Sequence, residues 1–444
     1  MKYWLIAAVV SLVVGAASID LRAAEAGALE RYVAAPDDSF QWVERRRGTQ
    51  AGVSWVELRL TSQRWHDVSW KHQLFILKPS RVRDPSRGLM VIGGGAWRDE
   101  LEQPETDDKL PGQAAMMAGV VESVGAPVAV LLQVPFQPMF NGMVEDKIIA
   151  YTFAEYLKTG DDTWPLLLPM VKSAVRGMDA VQQFAAREWS MDIKHFTLTG
   201  ASKRGWTTWL TSAVDERVTA LAPMVIDTLN MSAQMPHQLA TWGNFSDQIR
   251  DYTERGLQQF LLTGRGRALL SIIDPYFYRA EIDQPKLIIL GTNDRYWTLD
   301  ALNLYWNDLV GPKYVLYVPN QGHGIRDLPR LLGTTVAFHR HAAGELKLAD
   351  LTWNYEKQPG KVRLAMQSDV EPTTVTLWKA EAPTRDFRDA EWRSTPVPGR
   401  EAGYDASVSQ PKSGFVAIFG EAVFATESAP YYLSTTVQIL GPQP

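Results

Sequence analysis

The chain has 444 residues, 45% hydrophobic and 21% charged, with a formal net charge of -5. This is the composition of an ordinary globular protein, and it gives no electrostatic reason to expect nucleic acid or an anionic membrane as partner. Cysteine is absent, which excludes disulfides, thiolate metal sites, a cysteine nucleophile and a lipidated N-terminal cysteine.

Met1–Ser18 opens with one basic residue and continues as an apolar run of roughly 15 residues, short for a membrane span and right for a signal-peptide core. Ala24 and Ala26 offer an A-x-A cleavage site. Residues 1–26 are therefore expected to be a signal peptide that directs the chain to the periplasm or beyond and leaves no membrane span after cleavage. An uncleaved N-terminal anchor is the alternative.

The next segments, "VSWVELRLTSQRW" and "SWKHQLFILKPS", alternate with period two. Trp70, His72, Leu74 and Ile76 share one face, as in antiparallel strands at a sheet edge. Shorter runs follow that are apolar on both faces: "GLMVIGGG", "APVAVLLQVP", "KHFTLTG", "VTALAPMVID", "PKLIILGTND" and "KYVLYVPNQGHG". A parallel sheet buried between helices requires strands of this kind.

Helical patterns separate them. In "PLLLPMVKSAVRGMDAVQQFAAREW", Met170, Ala174, Met178 and Val181 recur on one face, with Pro165 suited to the first turn. "TLDALNLYWNDLV" is expected to form a crossover helix capped by Thr298. The long segment at about 228–282 exceeds a simple crossover and is expected to form a helical cap. Alternating strands and helices after an antiparallel start imply a doubly wound α/β domain over residues 27–347. From about residue 348 the helical period stops, and short strands separated by Pro, Gly and Asp imply an all-β sandwich over 348–444, of immunoglobulin or fibronectin size.

Within this frame, "KHFTLTGASKRGWTTWL" reads as strand, tight turn and helix with Ser202 at the apex. A nucleophile elbow needs a small residue two before the serine, which Gly200 supplies. The usual glycine two after it is replaced by Arg204, with Gly205 one later. Serine is also a common plain N-cap, so the turn alone does not decide its role. A serine nucleophile needs a base and a carboxylate to set the base's tautomer, in chain order serine, acid, histidine. "GTND" ends one buried strand with Asp294, and "NQGHG" ends the next with His323. All three then leave the carboxyl ends of parallel strands, where such sheets place their sites. Asp227, ending "VTALAPMVID", is the alternative acid.

Donors for an oxyanion are expected from the backbone of Lys203 and from Gly94, Gly95 and Ala96 in "VIGGGAW". Trp97, Trp206, Trp242 and Trp297 flank these loops as candidate walls of a substrate pocket, among 16 tryptophans in all. The acidic pair Glu145 and Asp146 is the one candidate for holding a substrate amine. No metal-ligand spacing, phosphate loop or dinucleotide fingerprint occurs, so no cofactor is expected.

"EDKIIAYTFAEYLKTGDDTWPLLLPMVKSAVRGMDAV", "LTGASKRGWTTWLTSAVDERVTALAPMVIDTLNM", "LGTNDRYWTLDALNLYW" and "VPNQGHG" resemble the PhoPQ-activated pathogenicity-related (PqaA-type) proteins, from about residue 40 to the C-terminus. "GASKRGW" belongs to that family's signature, which accounts for Arg204. The resemblance implies an α/β-hydrolase-like fold in exported proteins, with Ser202, Asp294 and His323 as the triad. On this reading the substrate is a small-molecule ester or a peptide. The rival reading is a binding protein that keeps the fold without turnover and uses its tryptophan-lined surface and sandwich to hold a partner.

Overall fold

The computed structural model describes residues 27–442 apart from residues 51, 104–108 and 402. The expected signal segment and its cleavage site lie outside the described residues.

Among the described residues, nine strands form one sheet in the order β1-β2-β3-β5-β4-β6-β7-β8-β9. The first three, β1 (Gln41–Gln50), β2 (Val53–Trp65) and β3 (Val68–Lys78), are antiparallel to their neighbours. The remaining six run parallel: β4 (Arg87–Ile92), β5 (Val128–Leu131), β6 (His195–Ala201), β7 (Val218–Met224), β8 (Lys286–Gly291) and β9 (Lys313–Val318). With β1 as an extra edge strand, this is the sheet of an α/β-hydrolase fold. The runs expected to be apolar on both faces are covered on both faces, every residue of β5 and β8 being buried.

The chain steps from β4 outward to β5 and then returns across β4 to β6. Strand order therefore reverses at β4/β6, and a crevice opens beyond the carboxyl ends of these two strands. The loop after β4 carries Gly93–Trp97 and the turn after β6 carries Ser202.

The helix Leu167–Trp189 covers one face of the sheet. Its predicted stripe of Met170, Ala174, Met178 and Val181 is 0–1% exposed, and a fully buried side chain of Met or Val size contributes about 1.5–3 kcal/mol. Pro165 stands just before this helix rather than in its first turn. The antiparallel start is more enclosed than its alternation suggests, for Phe75 and Gln73 on the polar side are also buried. Phe75 packs in a core with Val128 and Val130, and Glu57 on β2, itself 0% exposed, takes Gln73 Nε2 at 2.9 Å and the guanidinium groups of Arg45 and Arg46.

The helix expected after Thr298 is two 3-10 turns, Ala301–Leu304 and Trp306–Asp308. Its side chains have tertiary partners that a regular helix would misdirect. Tyr305 turns inward to Asp227, and Asn303 Nδ2 donates to the Val437 carbonyl at 2.9 Å. Between β7 and β8 the expected insertion contains the helices Met231–Trp242 and Gly264–Ile273 with shorter turns between them.

After the helix Leu328–Ala342 the chain forms two further antiparallel sheets. One contains Leu351–Gln358, Lys361–Ser368 and Gly403–Ser409; the other contains Thr374–Ala382, Phe415–Phe424 and Tyr431–Ser434. Leu364 and Met366 from the first share a core with Ile418 and Phe424 from the second, as in a sandwich. Among the described residues, no helix is long and apolar enough to cross a membrane.

Candidate active site

Ser202 occupies the turn between β6 and the helix Lys203–Val214 with φ 59 and ψ -128, a conformation an L-residue adopts only when its surroundings impose it. Three contacts impose it. The Ser202 amide donates to the Met224 carbonyl at 2.8 Å. A Cβ at Gly200 would stand 2.7 Å from the Arg204 carbonyl oxygen, and one at Gly205 would stand 2.8 Å from the Gly200 carbonyl. The second glycine is thus needed three residues after the serine, while Arg204 turns its side chain away from the elbow. Although Ser202 begins a helix, its side chain makes no cap hydrogen bond.

Its hydroxyl faces an imidazole instead. His323 Nε2 lies 2.8 Å from Ser202 Oγ, and His323 Nδ1 lies 2.8 Å from Asp294 Oδ2. A carboxylate at Nδ1 fixes that nitrogen as the donor and leaves Nε2 to accept from the hydroxyl. Asp294 is held in turn by the Tyr296 amide, which donates to Oδ1 at 2.9 Å. The Tyr296 ring lies against the imidazole at 4.1 Å between centroids.

Asp227 stands elsewhere. It is buried and accepts from the Tyr305 hydroxyl at 2.7 Å. Burial pushes its carboxyl up to about 7, with the charges of Asp294 and Asp300 adding to the effect and the Tyr305 hydroxyl opposing it. Of the two carboxylates, Asp294 is the one in contact with the imidazole.

The glycine loop reaches the serine from the other side. The amides of Gly93 and Trp97 are spent on Leu131 and Gln137 carbonyls, whereas among the described residues those of Gly94, Gly95 and Ala96 donate to no protein acceptor. Gly94 and Gly95 line a cleft of about 520 Å³ together with Ser202, Arg204 and His323; Ala96 does not line it.

Lys203 and Arg204 meet the acidic pair. Arg204 grips Glu145 with both terminal nitrogens, at 2.7 and 2.8 Å, while Lys203 Nζ stands 2.9 Å from Glu145 and 3.2 Å from Asp146. The Tyr252 hydroxyl donates to Asp146 Oδ1 at 3.0 Å. Burial alone would raise the Glu145 carboxyl, but Arg204 and Lys203 outweigh it and hold it down at about 2. Two carboxylates thus face two cations supplied by the chain itself, and the cluster carries no net charge.

The four tryptophans separate. Trp206 and Trp297 line an apolar cavity that also contains Ser202 and His323. Trp97 is buried against Phe136, away from both spaces. Trp242 stacks under the Arg388 guanidinium at 4.2 Å, beside Asp227 and Asp294.

Two asparagines next to the loops that carry Asp294 and His323 are additional to the residues singled out in the sequence. Asn293 Nδ2 donates to the Ala390 carbonyl at 2.8 Å, and Asn320 pairs with the backbone of Trp392. Their signal was present in "GTND" and "VPNQ", an asparagine after each of two consecutive strands, but their partners lie about 70–100 residues away (order of magnitude) and carry no sequence mark.

The sequence profile of the family "PhoPQ-activated pathogenicity-related protein" matches residues 29–388. Autocrine proliferation repressor protein A of Dictyostelium discoideum is 31% identical over 431 residues, covering 89% of this chain and 85% of that protein. Among solved structures, acetyl xylan esterase 1 from Thermoanaerobacterium sp. JW/SL YS485 aligns over 71% of this chain and 91% of its own, at 14% identity and a TM-score of 0.45. The acetyl xylan esterase from Paenibacillus sp. R4 aligns over 72% and 92%, at 13% identity and a TM-score of 0.46.

Proposed function

The chain belongs to the PhoPQ-activated pathogenicity-related protein family, and we propose that it is a serine hydrolase working by acyl transfer. The observation that carries this reading is the unbroken chain of contacts from Asp294 through His323 to Ser202, both at 2.8 Å.

In this mechanism Ser202 Oγ attacks the substrate carbonyl carbon as its proton passes to His323 Nε2. Asp294 stabilises the imidazolium through Nδ1–H. The carbonyl oxygen becomes an oxyanion held by the amides of Lys203 and of Gly94 or Gly95, each such donor contributing about 10²–10³ in rate. Collapse expels the leaving group, which takes the proton from Nε2, and leaves an acyl-serine. Water then attacks that ester with His323 again as base, releasing the acid and restoring the hydroxyl.

The strained elbow supports this reading over that of a serine kept only for helix capping, because a cap would direct the side chain to the helix amides. Export, through the segment at residues 1–26, remains part of the proposal. The test is pre-steady-state hydrolysis of p-nitrophenyl acetate. A burst of p-nitrophenol stoichiometric with enzyme, absent in Ser202→Ala, is expected. Turnover that survives Ser202→Ala unchanged would exclude this mechanism.

A further inference from the structure

Ser202 stands between two unlike spaces. On one side is the cleft of about 520 Å³ bordered by the glycine loop, Glu145 and Arg204. On the other, beneath the inserted helices, is a cavity of about 90 Å³, where one water needs roughly 10–15 Å³.

The wall of the cavity is mostly carbon. Phe153 comes from the helix Asp146–Thr159 and Trp206 from the elbow helix, while Met231, Met235, Leu269 and Ile273 come from the insertion. Trp206 presents its ring because its indole N–H is already taken by the Ile273 carbonyl. The charged residues on the wall, Asp146 and Lys203, are paired with each other. The remaining polar groups, among them Thr228 Oγ1 and Gln258 Oε1, are neutral, so no free charge on the wall would compensate a charge on the ligand, and burying one uncompensated is prohibitive. A free substrate amine has no unpaired carboxylate to claim, because Glu145 is also committed to Arg204 and Lys203.

We infer that this cavity is the acyl pocket, and that the substrate is an ester joining an uncharged, apolar acyl chain to a polar alcohol that lies in the glycine-lined cleft. The inference rests on the hydrolase reading above and adds the substrate class. Its chemistry follows from geometry. The carbonyl carbon sits at Ser202 Oγ and its oxygen points to the glycine amides, so the two substituents must enter the two spaces. The narrower, mostly apolar space takes the chain without polar atoms, and the wider space, bordered by Glu145 and Arg204, takes the alcohol. An apolar amino-acid side chain offers the same chemistry as an alkyl chain, so the experiment includes an amide arm.

The experiment measures kcat/KM for p-nitrophenyl esters from acetate to decanoate, for acetate esters of alcohols of increasing chain length, and for N-acetyl-phenylalanine p-nitroanilide. Each methylene that enters the cavity is worth about fourfold in kcat/KM. The acyl series is therefore expected to climb by that factor until the cavity is full and then fall, while the alcohol series stays nearly flat. In Leu269→Trp, which narrows the cavity, the ratio of octanoate to acetate hydrolysis is expected to drop at least tenfold, with labelling of Ser202 by a fluorophosphonate checking that the nucleophile is intact.

A flat or falling acyl series with Ser202 still labelled overturns the pocket assignment and leaves the hydrolase reading standing. A rise in the alcohol series instead reverses the two spaces and overturns it as well. An anilide cleaved faster than the best ester refutes an ester substrate. Failure to hydrolyse the esters and the anilide alike, with Ser202 unlabelled, removes the hydrolase reading, and this inference with it.

Discussion

Asn320, in the turn that carries His323, exchanges two hydrogen bonds with the backbone of Trp392: its Nδ2 donates to the carbonyl at 3.0 Å, and its Oδ1 accepts the amide at 2.7 Å. Trp392 belongs to the C-terminal part of the chain and is 2% exposed. The sandwich therefore braces the loop on which the imidazole is mounted. Asn293, beside Asp294, is tied to the same 387–390 segment. Asn320→Ala is expected to lower kcat about tenfold with little change in KM, because it loosens the base without touching substrate, and to cost about 1–3 kcal/mol of stability for the polar groups left unpaired. Steady-state kinetics and thermal denaturation measured together check this. A loss of stability with kcat unchanged would make the brace purely structural.

Asp294 and Asp227 are expected to respond differently to amide substitution. Asp294→Asn removes the acceptor that sets the histidine tautomer, and about 10³–10⁴ in kcat should be lost. Asp227→Asn keeps the contact with Tyr305 and touches neither Ser202 nor His323, so kcat/KM should remain near the original. The pair of variants, assayed side by side, reads out which carboxylate serves the histidine.

Asp227 also carries a pH signature. Its carboxyl ionises at about 7 in the folded chain against 3.8 ordinarily, so between these values the folded state holds a proton that the unfolded state has released. This stabilisation is complete below about 3.8 and is lost as pH rises through about 7, a difference of about 4 kcal/mol at most. Asp227→Asn should therefore flatten the decline of melting temperature between about pH 4 and pH 7. An unchanged slope would contradict this assignment.

Glu145 works in the opposite direction. Its carboxyl is depressed to about 2, so its contribution is present above 4.5 and is lost as pH falls toward 2. Glu145→Gln should reduce acid sensitivity in that window. At neutral pH it leaves Lys203 and Arg204, each less than a tenth exposed, short of an anion, and a loss of about 1–3 kcal/mol is expected. Denaturation at pH 7 and pH 3 separates the two effects.

Much of this arrangement was legible in the sequence, because strand burial writes itself as apolar runs. "KHFTLTG", "PKLIILG" and "KYVLYV" read as buried parallel strands, and Ser202, Asp294 and His323 follow them in that order. What was hidden depends on distance. Thr298 and Asp300 look like a helix start, yet Asp300 is claimed by His237 at 2.8 Å and by Arg385 at 2.5 Å, and Tyr305 by Asp227, so the local signal yields to tertiary partners. Glu145 and Asp146 look like an open acidic pair until Lys203 and Arg204 arrive from nearly 60 residues away. Likewise, four tryptophans near the same loops carry no mark of which ones face the cavity. Only packing places Trp206 and Trp297 there and Trp97 and Trp242 elsewhere.

On the proposed mechanism Ser202 is made nucleophilic by His323, and peptide mapping by mass spectrometry after treatment with a fluorophosphonate reads this at the residue itself. One adduct is expected, on Ser202, formed by the native chain and lost in both His323→Ala and heat-denatured protein. An adduct on another residue, or equal labelling of Ser202 with and without the imidazole, would contradict it.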